Sequence, residues 1–278
     1  MYSINAATKV ANINGKGLTY RIIGEGDPII LCQRFRGNLD DWDPLFLDLL
    51  AENYQVIIFN YSGMASSTGP LNTDMKTFSQ DVIDLADYLA IDRFVLGGWS
   101  FGGFIAQVVA VNYPARVKQL ILIGTKPPGQ VNHAMEEIFL KTAYIENYTV
   151  EDEMILFFEP ISESSRQAAK ESHDRIAART EKDVRVKPEH WQYYGSGSED
   201  FTKDAINARQ KLMETTIPIL VLSGDHEVCF PPENWFDLNR KMPTLQTVVF
   251  PRAGHGPQHQ HPEMATSYIH TFLANTIQ

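Results

Sequence analysis

The chain has 278 residues, enough for one α/β domain with an insertion, and its 44% apolar and 21% charged residues argue against disorder. Its formal charge of −10 argues against nucleic acid or anionic lipid as a partner, because both bind through Lys and Arg. We find no signal peptide pattern and no apolar run of the roughly 18 residues that span a bilayer. We therefore expect a cytoplasmic protein without membrane contact, and the sequence leaves open whether it is a monomer or a homodimer.

Short β-rich runs alternate with helical patterns along most of the chain. They cover residues 28–32, 54–60, 93–98, 119–124, 218–224 and 246–251. This alternation predicts a parallel sheet with helices on both faces. Two earlier runs, 8–13 and 17–23, flank Asn14-Gly15, a dipeptide that favours a type I′ hairpin turn. The predicted fold class is thus α/β, with a mostly parallel eight-stranded sheet and an antiparallel edge.

Three helices are predicted from apolar residues at helical spacing. Thr77 and Gln80 fit a capping box for the first helix. The second is expected to begin directly after Ser100 and to end before Pro114, and the third to begin at Pro262. The residues predicted to be buried are Phe78, Val82, Leu85 and Leu89, then Ile105, Val108 and Val109, and finally Met264, Tyr268, Ile269 and Phe272.

Residues 127–203 break the alternation, because they show helical patterns but no convincing strand. The segment is bounded by Pro127-Pro128 and by the run Gly195–Ser198. We interpret it as a helical cap, or lid, over the carboxyl edge of a core formed by residues 1–126 and 204–278. Its aromatic side chains either roof a pocket or pack helix against helix; they include Phe157, Phe158, Trp191, Tyr193 and Tyr194.

The strongest chemical signal is the run Gly98-Trp99-Ser100-Phe101-Gly102-Gly103, placed between a predicted strand and a predicted helix. Small residues around Ser100 allow the tight strand-to-helix turn called a nucleophile elbow. The Phe101 amide, first in the new helix, would then point to the site where an oxyanion forms. We therefore predict that Ser100 is a nucleophile.

A serine nucleophile needs a base and a carboxylate that orients it. His255, between two glycines after the last predicted strand, is the candidate base. Asp225 and Glu227 follow the preceding strand, and the chain order serine, acid, histidine admits both. His259 and His261 lie near His255, but the segment lacks a recognised zinc spacing, so no metal site is predicted.

The segments GWSFGG, GDHEVCFPPEN and PRAGHG, in this order, resemble the three catalytic loops of the α/β-hydrolase family over nearly the whole chain. In that family the acid often lies three residues after a glycine, which selects Glu227 and leaves Asp225 as a turn residue. The resemblance also implies a second oxyanion donor after the third strand, by alignment the Phe35 amide. The family usually has His-Gly there, whereas this chain has Gln33 and Arg34.

Two further residues are candidates for contact with substrate. Arg34 is one, since a guanidinium binds a carboxylate in bidentate fashion, and Trp99, beside the nucleophile, is the other. Arg36 has the same chemistry as Arg34. The alternative for both arginines is pairing with the adjacent acidic run that contains Asp40, Asp41 and Asp43. Asp43 before Pro44 also fits a helix cap.

These features predict a serine hydrolase, without cofactor, that cleaves a small carboxylic ester or lactone through an acyl-enzyme on Ser100. Serine at the elbow argues against chemistry that needs an aspartate nucleophile. Alternatives are an acyl-homoserine-lactone type of lactonase, a perhydrolase and, from another class, a small-molecule receptor with little turnover. A peptidase is disfavoured, because the Gly-rich oxyanion segment of proline iminopeptidases is absent at residues 33–37.

Overall fold

A computed structural model describes residues 3–276 and contains one eight-stranded sheet. The strands are β1 Lys9–Ile13, β2 Lys16–Ile23, β3 Asp27–Cys32, β4 Tyr54–Phe59, β5 Phe94–Trp99, β6 Val117–Ile123, β7 Ile219–Gly224 and β8 Leu245–Phe250. Their order is β1-β2-β4-β3-β5-β6-β7-β8. Strands β3 to β8 run parallel, and β2 pairs antiparallel with both β1 and β4. The predicted α/β class and mostly parallel eight-stranded sheet are confirmed.

The first two strands form the predicted hairpin at the edge of the sheet. Asn14 and Gly15 have φ of 47° and 83°, so both turn residues lie in the left-handed region that a type I′ turn requires. Glycine and asparagine adopt this region more readily than other residues. The local sequence therefore determines where this edge turns back.

Eleven α-helices connect or cover the strands within residues 3–276. They are α1 Pro44–Leu50, α2 Met75–Tyr88, α3 Phe101–Asn112, α4 Glu137–Ala143, α5 Val150–Phe157, α6 Glu163–Ala177, α7 Trp191–Lys203, α8 Ala208–Glu214, α9 Glu233–Phe236, α10 Pro257–Gln260 and α11 Pro262–Asn275. Helices α3 and α11 begin where the sequence predicts, and α3 ends before Pro114. Asp43 caps α1 by accepting a hydrogen bond from the Leu45 amide, with Pro44 in the first turn.

Apolar side chains fill both faces of the sheet, as expected for parallel strands covered by helices. Neighbouring residues of β5 point to opposite sides: Leu96 packs with α2 and α3, and Val95 with α1 and α11. This double coverage holds the carboxyl ends of β3, β5, β7 and β8 in fixed relative positions. The candidate catalytic residues follow these strand ends.

Two details of the helices differ from the sequence predictions. Asp74, not Thr77, caps α2; Thr77 stands three residues inside the helix and completes the capping box. Met264 and Tyr268 of α11 are 48% and 42% exposed, whereas Ile269 and Phe272 are buried as predicted. The buried residues of α11 are Pro262, Ala265, Thr266, Ile269, Phe272 and Leu273, so Met264 and Tyr268 lie beside the buried face rather than within it.

Between β6 and β7 the described chain contains helices α4 to α8 and no strand. The run Gly195–Ser198 lies inside α7 rather than in a loop. Gly197 allows this helix to approach Phe101 closely, because a Cβ at this position would lie 2.9 Å from the Phe101 ring. The division into a core and a cap at residues 127 and 203 stays a prediction. None of the helices among residues 3–276 is long and apolar enough to cross a membrane.

Candidate active site

Ser100 occupies a strained turn between β5 and α3. Its φ of 57° and ψ of −120° lie outside the regions that non-glycine residues favour. The turn is held by a 2.8 Å hydrogen bond from the Ser100 amide to the Ile123 carbonyl. It also requires glycines: a Cβ on Gly98 would lie 2.2 Å from the Gly102 carbonyl oxygen, and one on Gly102 would lie 2.1 Å from the Cys32 carbonyl oxygen. This is the geometry of a nucleophile elbow.

The structure brings His255 and Glu227 together at the ends of β8 and β7. His255 Nδ1 lies 2.7 Å from Glu227 Oε2 and 2.9 Å from Oε1, and both side chains are almost fully buried. Glu227 Oε1 also accepts a hydrogen bond of 2.7 Å from the Cys229 amide. His255 Nε2 has no hydrogen-bond partner among residues 3–276. The carboxylate thus fixes one ring nitrogen and leaves the other free to accept a proton.

Asp225 lies on the same loop but faces away from His255. Its carboxylate contacts the half-exposed His226 ring at 2.6 Å and accepts a hydrogen bond of 3.3 Å from the Ala253 amide. This is the role of a turn residue, which the sequence assigned to it. Of the two acidic candidates, Glu227 is therefore the one in contact with His255.

Trp99 links the nucleophile loop to the histidine loop. Its indole N–H donates a 2.8 Å hydrogen bond to the His255 carbonyl, and its ring packs against Phe157. Trp99 is completely buried and does not line the cavity described below. The sequence considered it for substrate contact, but the structure places it outside the wall of the cavity that contains Ser100.

Phe35, on the loop after β3, lines the same cavity as Ser100, and its amide is the second oxyanion donor that the sequence predicts. Gln33 braces this loop, because its side chain donates to the Asn38 carbonyl at 2.6 Å and accepts from the Arg34 amide at 2.9 Å. The Phe35 amide makes no hydrogen bond within the described chain. The Phe101 amide opens α3 and so has no intrahelical acceptor. Both amides are thus available to an oxyanion.

The Arg34 guanidinium is engaged by the protein itself. It contacts Asp41 at 3.0 Å and lies over the Trp99 and Phe157 rings. The Cζ atom of Arg34 is 5.3 Å from the centre of the Trp99 ring and 4.7 Å from that of the Phe157 ring. Arg34 does not line the cavity that contains Ser100. The structure therefore places it in the pairing with the acidic run that the sequence offered as the alternative to substrate contact.

Arg36 differs from that alternative, since its partners lie in the inserted helices rather than in the acidic run. It donates to the carbonyls of Ala143, Ile145 and Glu146 after α4, and its guanidinium lies over the Tyr148 and Trp191 rings. The carbonyls at a helix carboxyl terminus lack intrahelical donors and attract cations. Arg36 therefore connects the loop after β3, called the oxyanion loop below, to the helices α4–α8 between β6 and β7, called the inserted helices below. Sequence reasoning missed this long-range role.

His259 and His261 do not join His255 in a metal site. No group of three or more potential ligands occurs anywhere in residues 3–276. His259 is buried beside the Trp99 ring and accepts a 3.2 Å hydrogen bond from the Asp43 amide. Burial lowers the pKa of His259 to about 4, so its ring is neutral at pH 7.

A cavity of about 210 Å³ opens onto Ser100. Its walls come from the oxyanion loop, α3, α4, α7 and the acid loop, and consist of Phe35, Ser100, Phe101, Phe104, Met135, Phe139, Leu140, Ala143, Tyr144, Tyr194, Gly195, Ser198, Cys229 and Phe230. None of these residues is charged. A wider groove of about 720 Å³ is lined by Glu227 but not by Ser100. The smaller cavity is therefore the one in which a bound molecule would meet the candidate nucleophile.

This site belongs to a known class of protein. The family model described as alpha/beta hydrolase fold matches residues 27–262, which is most of the chain and includes all three of the loops that contain Ser100, Glu227 and His255. The chain therefore belongs to the alpha/beta hydrolase fold family and is a hydrolase, as the three sequence motifs imply.

Individual relatives are distant in sequence but extend over nearly the whole chain. A pimeloyl-[acyl-carrier protein] methyl ester esterase of Legionella pneumophila is 25% identical, over 90% of this chain and 96% of its own. The proline iminopeptidase PfmaB of Pestalotiopsis fici is 28% identical, over 94% and 97%. An alpha/beta hydrolase fold protein from Chitinophaga pinensis superposes with a TM-score of 0.87 at 26% identity, over 98% and 99%. Relatives of such different activity leave the substrate to be argued from the cavity itself.

Proposed function

We propose that this protein is a serine hydrolase that cleaves small, uncharged carboxylic esters or lactones through an acyl-enzyme on Ser100. The observation that carries the proposal is the buried contact of 2.7 Å between His255 Nδ1 and Glu227, beside a strained elbow that presents Ser100 to an uncharged cavity. The Legionella relative is named as a methyl ester esterase, and ester hydrolysis is chemistry of the same type.

The reaction follows from these positions. Ser100 Oγ attacks the ester carbonyl while His255 Nε2 accepts the hydroxyl proton, and Glu227 stabilises the resulting imidazolium. The Phe35 and Phe101 amides stabilise the oxyanion, each contributing about 3 kcal/mol to the lowering of the barrier. His255 then gives its proton to the departing alcohol, and a water molecule, activated by the same histidine, hydrolyses the acyl-enzyme.

The cavity wall favours an uncharged substrate. It contains no Lys or Arg that would pair with a carboxylate on the acyl group, and the arginines nearest in sequence, Arg34 and Arg36, are held by other partners. It also contains no Asp or Glu to bind the charged amino terminus of a peptide. Since an unpaired charge in an apolar site is costly, both anionic esters and peptides with a free amino terminus fit poorly.

The cavity also limits the size of the substrate. At about 210 Å³ it is smaller than the roughly 300–1,000 Å³ that is usual for drug-sized ligands. Short acyl chains therefore fit within its apolar walls, and we expect turnover to fall as the chain approaches eight carbons. A lactone of the same size satisfies the same constraints, so the lactonase alternative remains part of the proposal.

Hydrolysis of p-nitrophenyl acetate, butyrate, hexanoate and octanoate by the purified protein tests the proposal, together with labelling by phenylmethylsulfonyl fluoride followed by intact mass. Ser100→Ala should lose both turnover and the adduct. Ser196→Ala is the matched control, because Ser196 lies exposed on α7 and outside the cavity wall. Full activity in Ser100→Ala would overturn the assignment. A folded wild type that binds esters but returns them intact would favour a receptor.

Acyl lactones of increasing chain length, tested beside the open esters, separate a lactonase from an esterase. Peracid formation from acetate and peroxide tests the perhydrolase alternative. L-Proline p-nitroanilide tests the activity named for the Pestalotiopsis relative, and the uncharged cavity wall predicts no turnover of it.

A further inference from the structure

Tyr194 of α7 is the one residue of the cavity wall within residues 3–276 whose side-chain oxygen is buried without a hydrogen-bond partner. Only 1% of Tyr194 is exposed. Buried polar groups in proteins nearly always have a partner, and leaving one without costs roughly 1–3 kcal/mol. Because Tyr194 belongs to the wall of the cavity that contains Ser100, its unpaired hydroxyl points to an acceptor that arrives with the substrate.

The Tyr194 ring is held rigidly, so its hydroxyl has little freedom to find a partner elsewhere. The ring makes edge contacts with Phe35 and Phe101, with centres 5.3 and 5.0 Å apart, and a tilted contact with Phe78 at 6.0 Å. Phe35 and Phe101 are the residues whose amides form the proposed oxyanion hole. Tyr194 thus packs on the side chains of both residues that supply those amides.

The electrostatic surroundings favour a neutral tyrosine that donates a hydrogen bond. Burial raises the pKa of Tyr194, and the nearby Arg34 charge lowers it by less. The hydroxyl is therefore protonated at neutral pH. A protonated phenol donates a hydrogen bond to a carbonyl or ether oxygen, and the uncharged cavity wall around it favours a neutral partner.

We infer that the Tyr194 hydroxyl is a specificity-determining donor that binds a second, uncharged oxygen of the substrate, beyond the ester group that Ser100 attacks. The inference rests on the proposed function, since the cavity is assigned through Ser100. The favoured substrates are then neutral esters or lactones with an additional keto, ether or amide oxygen. Simple alkanoate esters would lack this contact.

Pairs of p-nitrophenyl esters that differ by one CH₂-to-oxygen exchange test the inference: methoxyacetate against butyrate, 3-methoxypropanoate against pentanoate, and 4-methoxybutanoate against hexanoate. The ratio of kcat/KM between wild type and Tyr194→Phe is taken for each ester, which cancels differences in intrinsic reactivity. At least one ether ester should lose about 3- to 10-fold in Tyr194→Phe, the range expected for one neutral hydrogen bond. Its alkanoate partner should change less than about 2-fold.

Tyr193→Phe is the matched control, because Tyr193 neighbours Tyr194 on α7 but does not line the cavity. It should leave all six ratios near one. Equal losses for both members of every pair in Tyr194→Phe, or no loss in any pair, would overturn the inference. In those cases wild-type turnover would still support the proposed function, whereas a wild type inactive on all six esters would remove both.

A thermal melt gives a readout that does not depend on activity. Because Tyr194→Phe removes an unpaired buried oxygen and keeps the ring contacts, Tm should stay equal or rise. A Tm lower by several degrees would mean that the hydroxyl is bonded within the protein, which would also overturn the inference.

Discussion

Replacing Glu227 by Gln keeps the shape of the acid loop but changes what His255 meets. The carboxylate has two acceptor oxygens, and the structure uses both: Oε1 accepts from the Cys229 amide, and both oxygens lie within 2.9 Å of His255 Nδ1. A glutamine has one acceptor and one donor. If its oxygen serves the buried Cys229 amide, its NH₂ group faces Nδ1 and favours the tautomer that carries the proton on Nε2. That tautomer cannot accept a proton from Ser100.

The expected loss for Glu227→Gln is about 10³- to 10⁴-fold in kcat, the scale measured for the wrong tautomer in serine protease triads. A factor of 10⁴ corresponds to about 5.4 kcal/mol in the barrier. Steady-state hydrolysis of p-nitrophenyl butyrate measures it, with circular dichroism to verify the fold. Asp225→Asn is the matched control, and should change kcat by less than about 3-fold because this carboxylate does not touch His255. A large loss in Asp225→Asn with normal activity in Glu227→Gln would refute the assignment of the acid.

Three further substitutions test other parts of the structure. Gly102→Ala should lower the free energy of unfolding by about 1–3 kcal/mol, because its Cβ would lie 2.1 Å from a carbonyl oxygen, whereas Gly195→Ala, with open space around it, should be neutral or stabilising in urea titrations. His259→Gln should flatten the pH dependence of stability. The pKa of His259 is about 4 in the folded protein and about 6.5 in the unfolded chain, so this histidine destabilises the fold as pH falls from 6.5 towards 4, by about 2 kcal/mol at pH 5. Equal slopes of stability against pH in both proteins would contradict this. Arg34→Lys should lower stability by about 1–2 kcal/mol through the loss of its stacking and of its fork geometry toward Asp41, and a selective loss of activity on anionic esters would instead make Arg34 a substrate ligand.

The sequence was informative where a local rule decides the structure. The strand runs, the Asn14-Gly15 turn and the elbow around Ser100 each depend on neighbouring residues, and each lies where it was predicted. Met264 and Tyr268 of α11 were wrongly predicted to be buried, because they are apolar enough to mimic a core stripe. Hydrophobic periodicity cannot detect apolar side chains that remain exposed.

Other features depend on contacts between distant parts of the chain and leave no local signal. Arg36 lies beside three aspartates in sequence, yet it binds carbonyls more than 100 residues away. Tyr194 precedes a Gly-Ser run that resembles a loop in sequence, but this run is helical in the structure. Its Gly197 allows α7 to approach the Phe101 ring, a contact that the local sequence does not reveal. The missed residues are therefore those at which the inserted helices meet the oxyanion loop and α3.

Two further contacts between distant segments hold the candidate base in place. Trp99 precedes the nucleophile and donates to the His255 carbonyl, so the elbow and the base are joined by one buried side chain. On the other side of the histidine loop, the Gly256 amide donates a 2.7 Å hydrogen bond to the Phe157 carbonyl at the end of α5. Hydrogen bonds to Trp99 of β5 and to Phe157 of α5 therefore fix the position of the histidine loop. Ser100 is held separately, because its amide donates a hydrogen bond to the Ile123 carbonyl of β6.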